Sequence, residues 1–367
     1  MGDDKGVSGS SLKYVNFLMP RKYLILTLFV IVLLILFSGG FGIIKFIENK
    51  FFAEEEFYCG DGTSYNLCSS HKPYFCLNGS LIENASLCGC YEGDINSGKP
   101  CISEYQTRPK EIQLEYILEG EKYFLNFTVY EGILGYLSGI SKSIKYSNGD
   151  IPSRGDFKLK NIDEEEQRKM LLPLVVKIQN LTLNKEDQIR IAISIVQNIP
   201  YGSSDKTTTF GAYQLNYSRY PYEVLYDTQG ICGEKTDLLA FLLREMGYGV
   251  SVFYYQEENH EAIGVKCPIS ESMDRSGYCF VETTGPSIIT DDRITYFGVG
   301  KLYSEPEIYL ISEGESIGKD FYEYRDADRL IKIRNSIEKS GWLGPLREKE
   351  FSNIKKKYGL VDKYFGG

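Results

Sequence analysis

Histidine is nearly absent. The 367 residues contain two, His71 and His260, and a single tryptophan, Trp342. So few imidazoles leave little from which to build a metal centre. The cysteines do not fill that gap, because Cys88-Gly89-Cys90 is too tight for zinc-type spacing and only His71 could join it. No metal and no cofactor is therefore expected. No Lys/Arg-rich stripe interrupts a net charge of −9, which argues against nucleic acid as a partner. There is no internal repeat. Charge is also missing from Tyr23 to Ile44, a run made mostly of Leu, Ile, Val and Phe with no amphipathic face. That absence excludes a buried core helix for this stretch.

As a helix the run spans roughly 33 Å, enough to cross the hydrocarbon core of a bilayer. Lys5, Lys13, Arg21 and Lys22 precede it, whereas Lys45 and Lys50 behind it are diluted by Glu48, Glu54, Glu55 and Glu56. The positive-inside rule then places the N-terminus in the cytoplasm and the chain after about residue 48 outside. A cleaved signal peptide is the rival, with Leu24–Phe37 as its apolar core and Ser38-Gly39-Gly40 near the cut. The long polar leader and the apolar continuation Phe41–Ile44 favour the anchor. Either way most of the chain is exported. The expectation is a single-pass cell-membrane protein that meets the lipid bilayer through residues 23–44.

Of nine cysteines, six are crowded together: Cys59, Cys68, Cys76, Cys88, Cys90 and Cys101. That density in an exported segment reads as a disulfide-stapled module at 58–102, with fifteen pairings open. Cys267 and Cys279 bracket a polar loop and suit a clip across a hairpin end. Eight cysteines can pair, and Cys232 is left over. A free thiol outside the cell is prone to oxidation, so its presence is better explained by chemistry than by packing. Five glycosylation sequons, at Asn78, Asn84, Asn126, Asn180 and Asn216, are compatible with export.

Along the chain, residues 1–22 form a polar leader and 111–160 a β-rich accessory segment, with strands expected around Ile112–Leu118 and Tyr123–Phe127. Ser141–Phe157 reads as a loop. Helices are expected from Asp163 to about Gln179 and from Lys185 to Gln197, and Gly202–Tyr222 reads as a loop. The apolar spacing after Cys232 predicts a helix that stops at Gly247. Strands are expected at Val250–Tyr255, His260–Lys266 and Tyr278–Thr283. The tail 301–367 carries two helical pieces, about Arg325–Lys339 and Leu346–Lys357, and Trp342 reads as a packing anchor.

The chemistry concentrates after residue 225. Gly230 permits a sharp turn into the Cys232 helix. A thiol in the first helical turn feels the positive end of the dipole, which favours the thiolate. His260 opens a strand, and Glu282 lies in the next one. With a side-chain period of two, His260 and Cys267 face opposite sides, as do Cys279 and Glu282, so one face can hold His/Glu and the other Cys/Cys. Setting His260 directly opposite Glu282 makes Cys279 face Ile263, so the clip then needs a fold-back or a bulge near Gly264. Cys232 as nucleophile, His260 as general base and acid, and Glu282 as the group orienting the ring make a thiol-dependent acyl-transfer site. The Cys232 backbone N–H is an oxyanion donor, with Gln197, Tyr201 and Gln229 as candidates for a second.

Four ordered segments carry a resemblance: Tyr220-Pro221-Tyr222-Glu223-Val224-Leu225, Gly230-Ile231-Cys232-Gly233-Glu234, His260-Glu261-Ala262-Ile263-Gly264-Val265 and Glu282-Thr283-Thr284-Gly285. Together they resemble the transglutaminase-like superfamily, a papain-related α+β fold, especially the transglutaminase-like domains of archaeal membrane proteins. The similarity covers about residues 165–300 of a domain placed at 163–300. It implies a nucleophile helix packed on an antiparallel sheet, with cysteine peptidase, amidase or transglutaminase activity on a protein or peptide substrate. Two departures stand out. Ile231 replaces a commonly acidic residue, and Glu282 stands where the wider superfamily uses aspartate. A second reading from a different class is a cell-surface binding or assembly module that kept the fold and lost turnover.

Overall fold

Ten consecutive residues of the helix Cys232–Glu245, from Glu234 to Leu243, are buried. A helix covered on every face sits in the middle of its domain, with neighbouring elements packed around it. The computed structural model describes residues 57–360 apart from 148, 211, 212 and 293–300. The expected leader and apolar span at 1–44 lie outside the described residues. Among the described residues, no helix is long and apolar enough to cross a membrane.

The elements run β1 (Tyr74–Leu77), β2 (Ser80–Glu83), α1 (Ala85–Cys88), β3 (Ile95–Asn96) and β4 (Cys101–Ile102) in the cysteine-rich segment. Next come β5 (Pro109–Leu118), β6 (Glu121–Tyr130), α2 (Gly132–Gly139), α3 (Arg154–Ile162), α4 (Glu165–Leu181) and α5 (Lys185–Asn198). The short hairpin β7 (Thr207–Phe210) and β8 (Tyr213–Asn216) precedes α6 (Pro221–Asp227) and the central α7 (Cys232–Glu245). The chain ends with β9 (Val250–Tyr255), β10 (His260–Lys266), β11 (Tyr278–Val281), β12 (Glu307–Ser312), α8 (Glu323–Ser340) and α9 (Pro345–Tyr358). The protein is thus a mixture of helices and antiparallel sheets, as expected.

The main sheet has the order β11-β10-β9-β12 and is antiparallel throughout. Helix α7 packs across β10 and is flanked by α3, α5 and α6. Leu238, Leu239, Phe241, Leu242 and Leu243 meet Val250, Val252, Ile263, Val265 and Val281 in one core. The helix stops where Gly247 takes a φ of +93°, a value that side chains with a Cβ resist.

All four disulfides lie outside α7. Cys59–Cys76, Cys68–Cys88 and Cys90–Cys101 resolve the open pairing of the first six cysteines, and Cys267–Cys279 is the expected clip. The stapled segment docks on α4 and α5. The Asn180 amide takes a hydrogen bond from the Leu81 N–H (2.9 Å) and donates to its carbonyl (3.0 Å), while Gln188 Nε2 donates to the Gly60 carbonyl (2.7 Å).

Several expectations need correction. The loop placed at Ser141–Phe157 ends early, because Ser153 and Asp156 cap α3 reciprocally: the Ser153 hydroxyl accepts from the Asp156 N–H (3.3 Å) and the Asp156 carboxylate from the Ser153 N–H (2.7 Å). The loop at Gly202–Tyr222 contains a hairpin, and Pro221 starts α6 at a position where its missing N–H removes no helical bond. Helix α2 and strand β12 fall where no element was expected, and β12 closes one edge of the main sheet. Trp342 is 68% exposed, so it is not a buried packing anchor. Gly230 is needed for space, not for an unusual φ: a Cβ there would lie 3.1 Å from the Lys235 side chain and 3.2 Å from Val224.

Candidate active site

The β10–β11 register decides how the site residues meet. Val265 faces Cys279 and Ile263 faces Val281. His260 is therefore not directly opposite Glu282 but offset by two residues along the same face, and Cys267 and Cys279 carry the same offset. One unbulged register serves both pairs, so neither the fold-back nor the bulge near Gly264 is needed. The two faces separate as expected. Cys267 and Cys279 join the main core, while His260 lies beside Tyr255, their ring centroids 6.4 Å apart.

His260 Nε2 and Glu282 Oε2 are 2.9 Å apart, with the side chains 0% and 1% exposed. The other carboxylate oxygen of Glu282 accepts from the Thr283 N–H (2.9 Å), the Thr284 N–H (2.7 Å) and the Thr284 hydroxyl (2.7 Å). The Glu-Thr-Thr run is thus a cradle that fixes its own first residue. Gln197 Nε2 adds a bond to the Glu282 main-chain carbonyl (2.9 Å). Burial works against the charge on both partners. The His260–Glu282 attraction, and for Glu282 the Thr284 bonds, outweigh it, so the carboxyl is held below its usual range.

Cys232 is half-buried and is the one cysteine of nine outside a disulfide. Its side chain lies near enough to the imidazole for each to bear on the other's charge. Nε2 is engaged by Glu282, which leaves Nδ1 as the ring nitrogen available to another group. Burial pulls the imidazole's pKa down, but Glu282 and Cys232 together push it up to about 10. The structure thus brings Cys232, His260 and Glu282 together.

The first turn of α7 is pinned from outside. Glu234 Oε2 accepts from the Ile231 N–H (3.0 Å) and Oε1 from the Arg219 N–H (2.7 Å), while Arg219 Nη1 reaches Oε2 (3.2 Å). Glu223 accepts from the Tyr217 hydroxyl (2.6 Å) and the Tyr220 N–H (3.0 Å). The charged residues of these motifs therefore hold the entry to α7.

The three candidates for a second oxyanion donor separate. Gln197 is buried, and its amide is committed to Glu282 and to Ser287. The Gln229 side chain lies against Gly202, where any Cβ would collide with it. Tyr201 stands close enough to Cys232, Glu234 and Glu282 for their charges to add to burial in raising its phenol pKa. Tyr201 also bridges Gly230 through a parallel backbone contact. Of the three, Tyr201 is the one that feels the charge of Cys232 and keeps an open side chain, 37% exposed.

Sequence reasoning missed Lys235, three residues after Cys232 and fully buried. Its Nζ donates to the carbonyls of Ile199 (2.6 Å) and Gln197 (3.3 Å). Burial pushes the ammonium down to about 7, against the pull of Glu282 and Cys232. The sequence carried little signal for it, because Lys235 stands among Glu234, Thr236 and Asp237 ahead of the apolar run that begins at Leu238. Missed too was the wall of a cleft of about 500 Å³ that opens on Cys232 and includes Lys142, Arg154, Lys158, Lys160, Asp237 and Glu261.

Among the described residues, no group of three His, Cys, Asp or Glu side chains could hold a metal ion, and His71 lies instead 3.7 Å from Glu245. No family model, no curated protein and no solved structure matches the chain.

Proposed function

We propose that the chain is an exported thiol enzyme acting on amide bonds, with Cys232 as nucleophile. The observation that carries this reading is a buried His260–Glu282 pair set close to the one thiol not closed in a disulfide. Such a trio joins a nucleophile, a proton carrier and a group that fixes the ring's orientation.

In this mechanism the Cys232 sulfur attacks the amide carbon, and the carbonyl oxygen takes up negative charge. The main-chain N–H of Cys232 and the Tyr201 hydroxyl are the proposed donors to it. His260 retains its proton to about pH 10, so the acid for the leaving amine is already in place. The C–N bond breaks as that proton moves to nitrogen, leaving a thioester. Water or an acceptor amine then attacks the thioester, His260 takes the attacking proton, and the C–S bond breaks to release the Cys232 thiolate. Hydrolysis and transfer share every step but the identity of the last nucleophile.

Helix α7 against an antiparallel sheet, with Cys, His and acid in that order, supports a transglutaminase-like, papain-related fold. The four disulfides support an oxidising location. Together with the apolar run at 23–44, they favour a membrane-anchored protein whose bulk faces outward. A binding or assembly module without turnover is favoured by one feature, the exposed apolar side chains Leu67, Leu87 and Ile95 on the stapled segment.

The test is brief alkylation of the native protein with iodoacetamide near pH 6.5, followed by mass-spectrometric mapping. Rapid, selective modification of Cys232 is expected, along with loss of any amidase or transfer activity in Cys232→Ala. A Cys232 that resists the reagent would overturn the enzyme reading.

A further inference from the structure

The cleft beside Cys232 carries positive charge that its own carboxylates do not consume. Glu261 is shared by Arg154 (2.7 Å) and Lys158 (2.5 Å), Asp237 is bound by Lys158 (2.8 Å), and Glu234 is taken by Arg219 (3.2 Å). Lys142 and Lys160 remain. Lys160 Nζ donates to the main-chain carbonyls of Ser141 (2.6 Å) and Ser143. Lys142 Nζ donates to the Ser218 carbonyl and lies 4.0 Å from the centroid of the Tyr220 ring. Neither forms an ion pair with a carboxylate among the described residues. A carbonyl dipole or a ring face solvates an ammonium but leaves its charge intact. Each ammonium has three donors, so both keep hydrogen-bonding capacity beyond these contacts.

This surplus is local, since the chain as a whole is at −9. A cationic cleft in an anionic molecule concentrates anions at one place and repels them elsewhere. Burial also lowers the Lys142 pKa, with Glu223 and Asp237 pulling the other way. An anion entering the cleft would relieve that penalty.

We propose that the cleft selects acyl donors bearing a carboxylate close to the scissile amide, received by Lys142 and Lys160 beside Cys232. This rests on Cys232 being the nucleophile. The carboxylate can belong to an acidic side chain of a peptide or to a free chain terminus.

Two alkylating reagents that differ by one charge test it on the intact folded chain. Iodoacetate is expected to modify Cys232 about tenfold faster relative to iodoacetamide than it modifies a small neutral thiol, at low ionic strength. Raising the salt should shrink that preference. His260 itself attracts the anion, so the share due to the lysines is the share lost in Lys142→Gln/Lys160→Gln. That variant should lose most of the preference while its iodoacetamide rate stays within about twofold, and Lys142→Arg/Lys160→Arg should retain it. Two tripeptides identify the source of the carboxylate through protection against iodoacetamide: one amidated with an internal glutamate, one neutral with a free C-terminus. Protection by either supports the proposal. If wild type reacts rapidly with iodoacetamide but shows no preference for iodoacetate, or the glutamine variant keeps it in full, the carboxylate proposal falls and the thiol site stands. If iodoacetamide itself fails to label Cys232, the thiol-enzyme reading falls.

Discussion

Two buried cationic groups reach the neighbourhood of Cys232 from different parts of the fold. His260 comes from the first residue of β10, and Lys235 from one turn along α7. Both are 0% exposed, and both feel Glu282 and Cys232. Their fates are opposite. His260 has a carboxylate at 2.9 Å and is pushed up to about 10, whereas Lys235 has only carbonyl oxygens in contact and is pushed down to about 7. Burial penalises charge on both, and the group in contact decides which side wins. Gln197 links the two regions, because its main-chain carbonyl accepts from Lys235 and its side-chain amide donates to Glu282.

The largest expected effect is on stability against pH. His260 is raised in the folded state, so its contribution is complete below about pH 6.5 and lost as pH climbs to about 10. Lys235 is lowered, so its penalty is present below about pH 7 and relieved as pH climbs to its unfolded value near 10.5. Between pH 7 and 10 the two slopes oppose each other. Denaturant midpoints across that window should therefore show little slope from this pair in wild type. Lys235→Met should lose stability with rising pH at about 1.4 kcal/mol per unit, and His260→Gln should gain it at a similar rate. Equal slopes in all three proteins would break the comparison.

Reactivity should sharpen it. At pH 6.5, His260→Ala is expected to slow alkylation of Cys232 by about a hundredfold, because the nearby imidazolium charge that favours a thiolate is gone. Lys235→Met should change that rate by no more than about threefold. Equal losses in the two variants would mean that both cations serve the sulfur alike. Glu282→Gln comes next, with alkylation slower by about tenfold. Without the carboxylate, burial again dominates at His260, so nitrogen-15 NMR of the ring should show it deprotonating well below pH 10. A ring that stays protonated to pH 10 in this variant would remove Glu282 as the cause. Smallest is Gln197→Leu, which keeps the carbonyl for Lys235 and removes the amide from Glu282. A loss of about 1 kcal/mol in unfolding free energy is expected, with alkylation slowed only a few-fold. No loss at all would show that the two regions are independent.

Much of this was legible from the chain. The helix after Cys232 and the strands around Val250, His260 and Tyr278 announce themselves by period, and the odd cysteine by count. Strand β12 stayed hidden because its partner β9 lies about fifty residues earlier and the strand has no hairpin turn to mark it. Helix α3 stayed hidden although Ser153 and Asp156 form a legible cap, because the polar stretch around them resembles loop. Lys235 escaped notice because a lysine three residues into a helix normally reaches water; here the helix is covered on every side.

Local pattern, then, determined which residues become helix or strand and which cysteine has no mate, since periodicity and parity are properties of the chain alone. Assembly decided the rest: the two-residue offset that lets one register serve both the His/Glu and the Cys/Cys pair, and which buried cation finds a carboxylate and which only carbonyls. Those outcomes depend on contacts such as Lys235 with Ile199 and Gln197 with Glu282, made between segments 36 to 85 residues apart, and no local pattern encodes them.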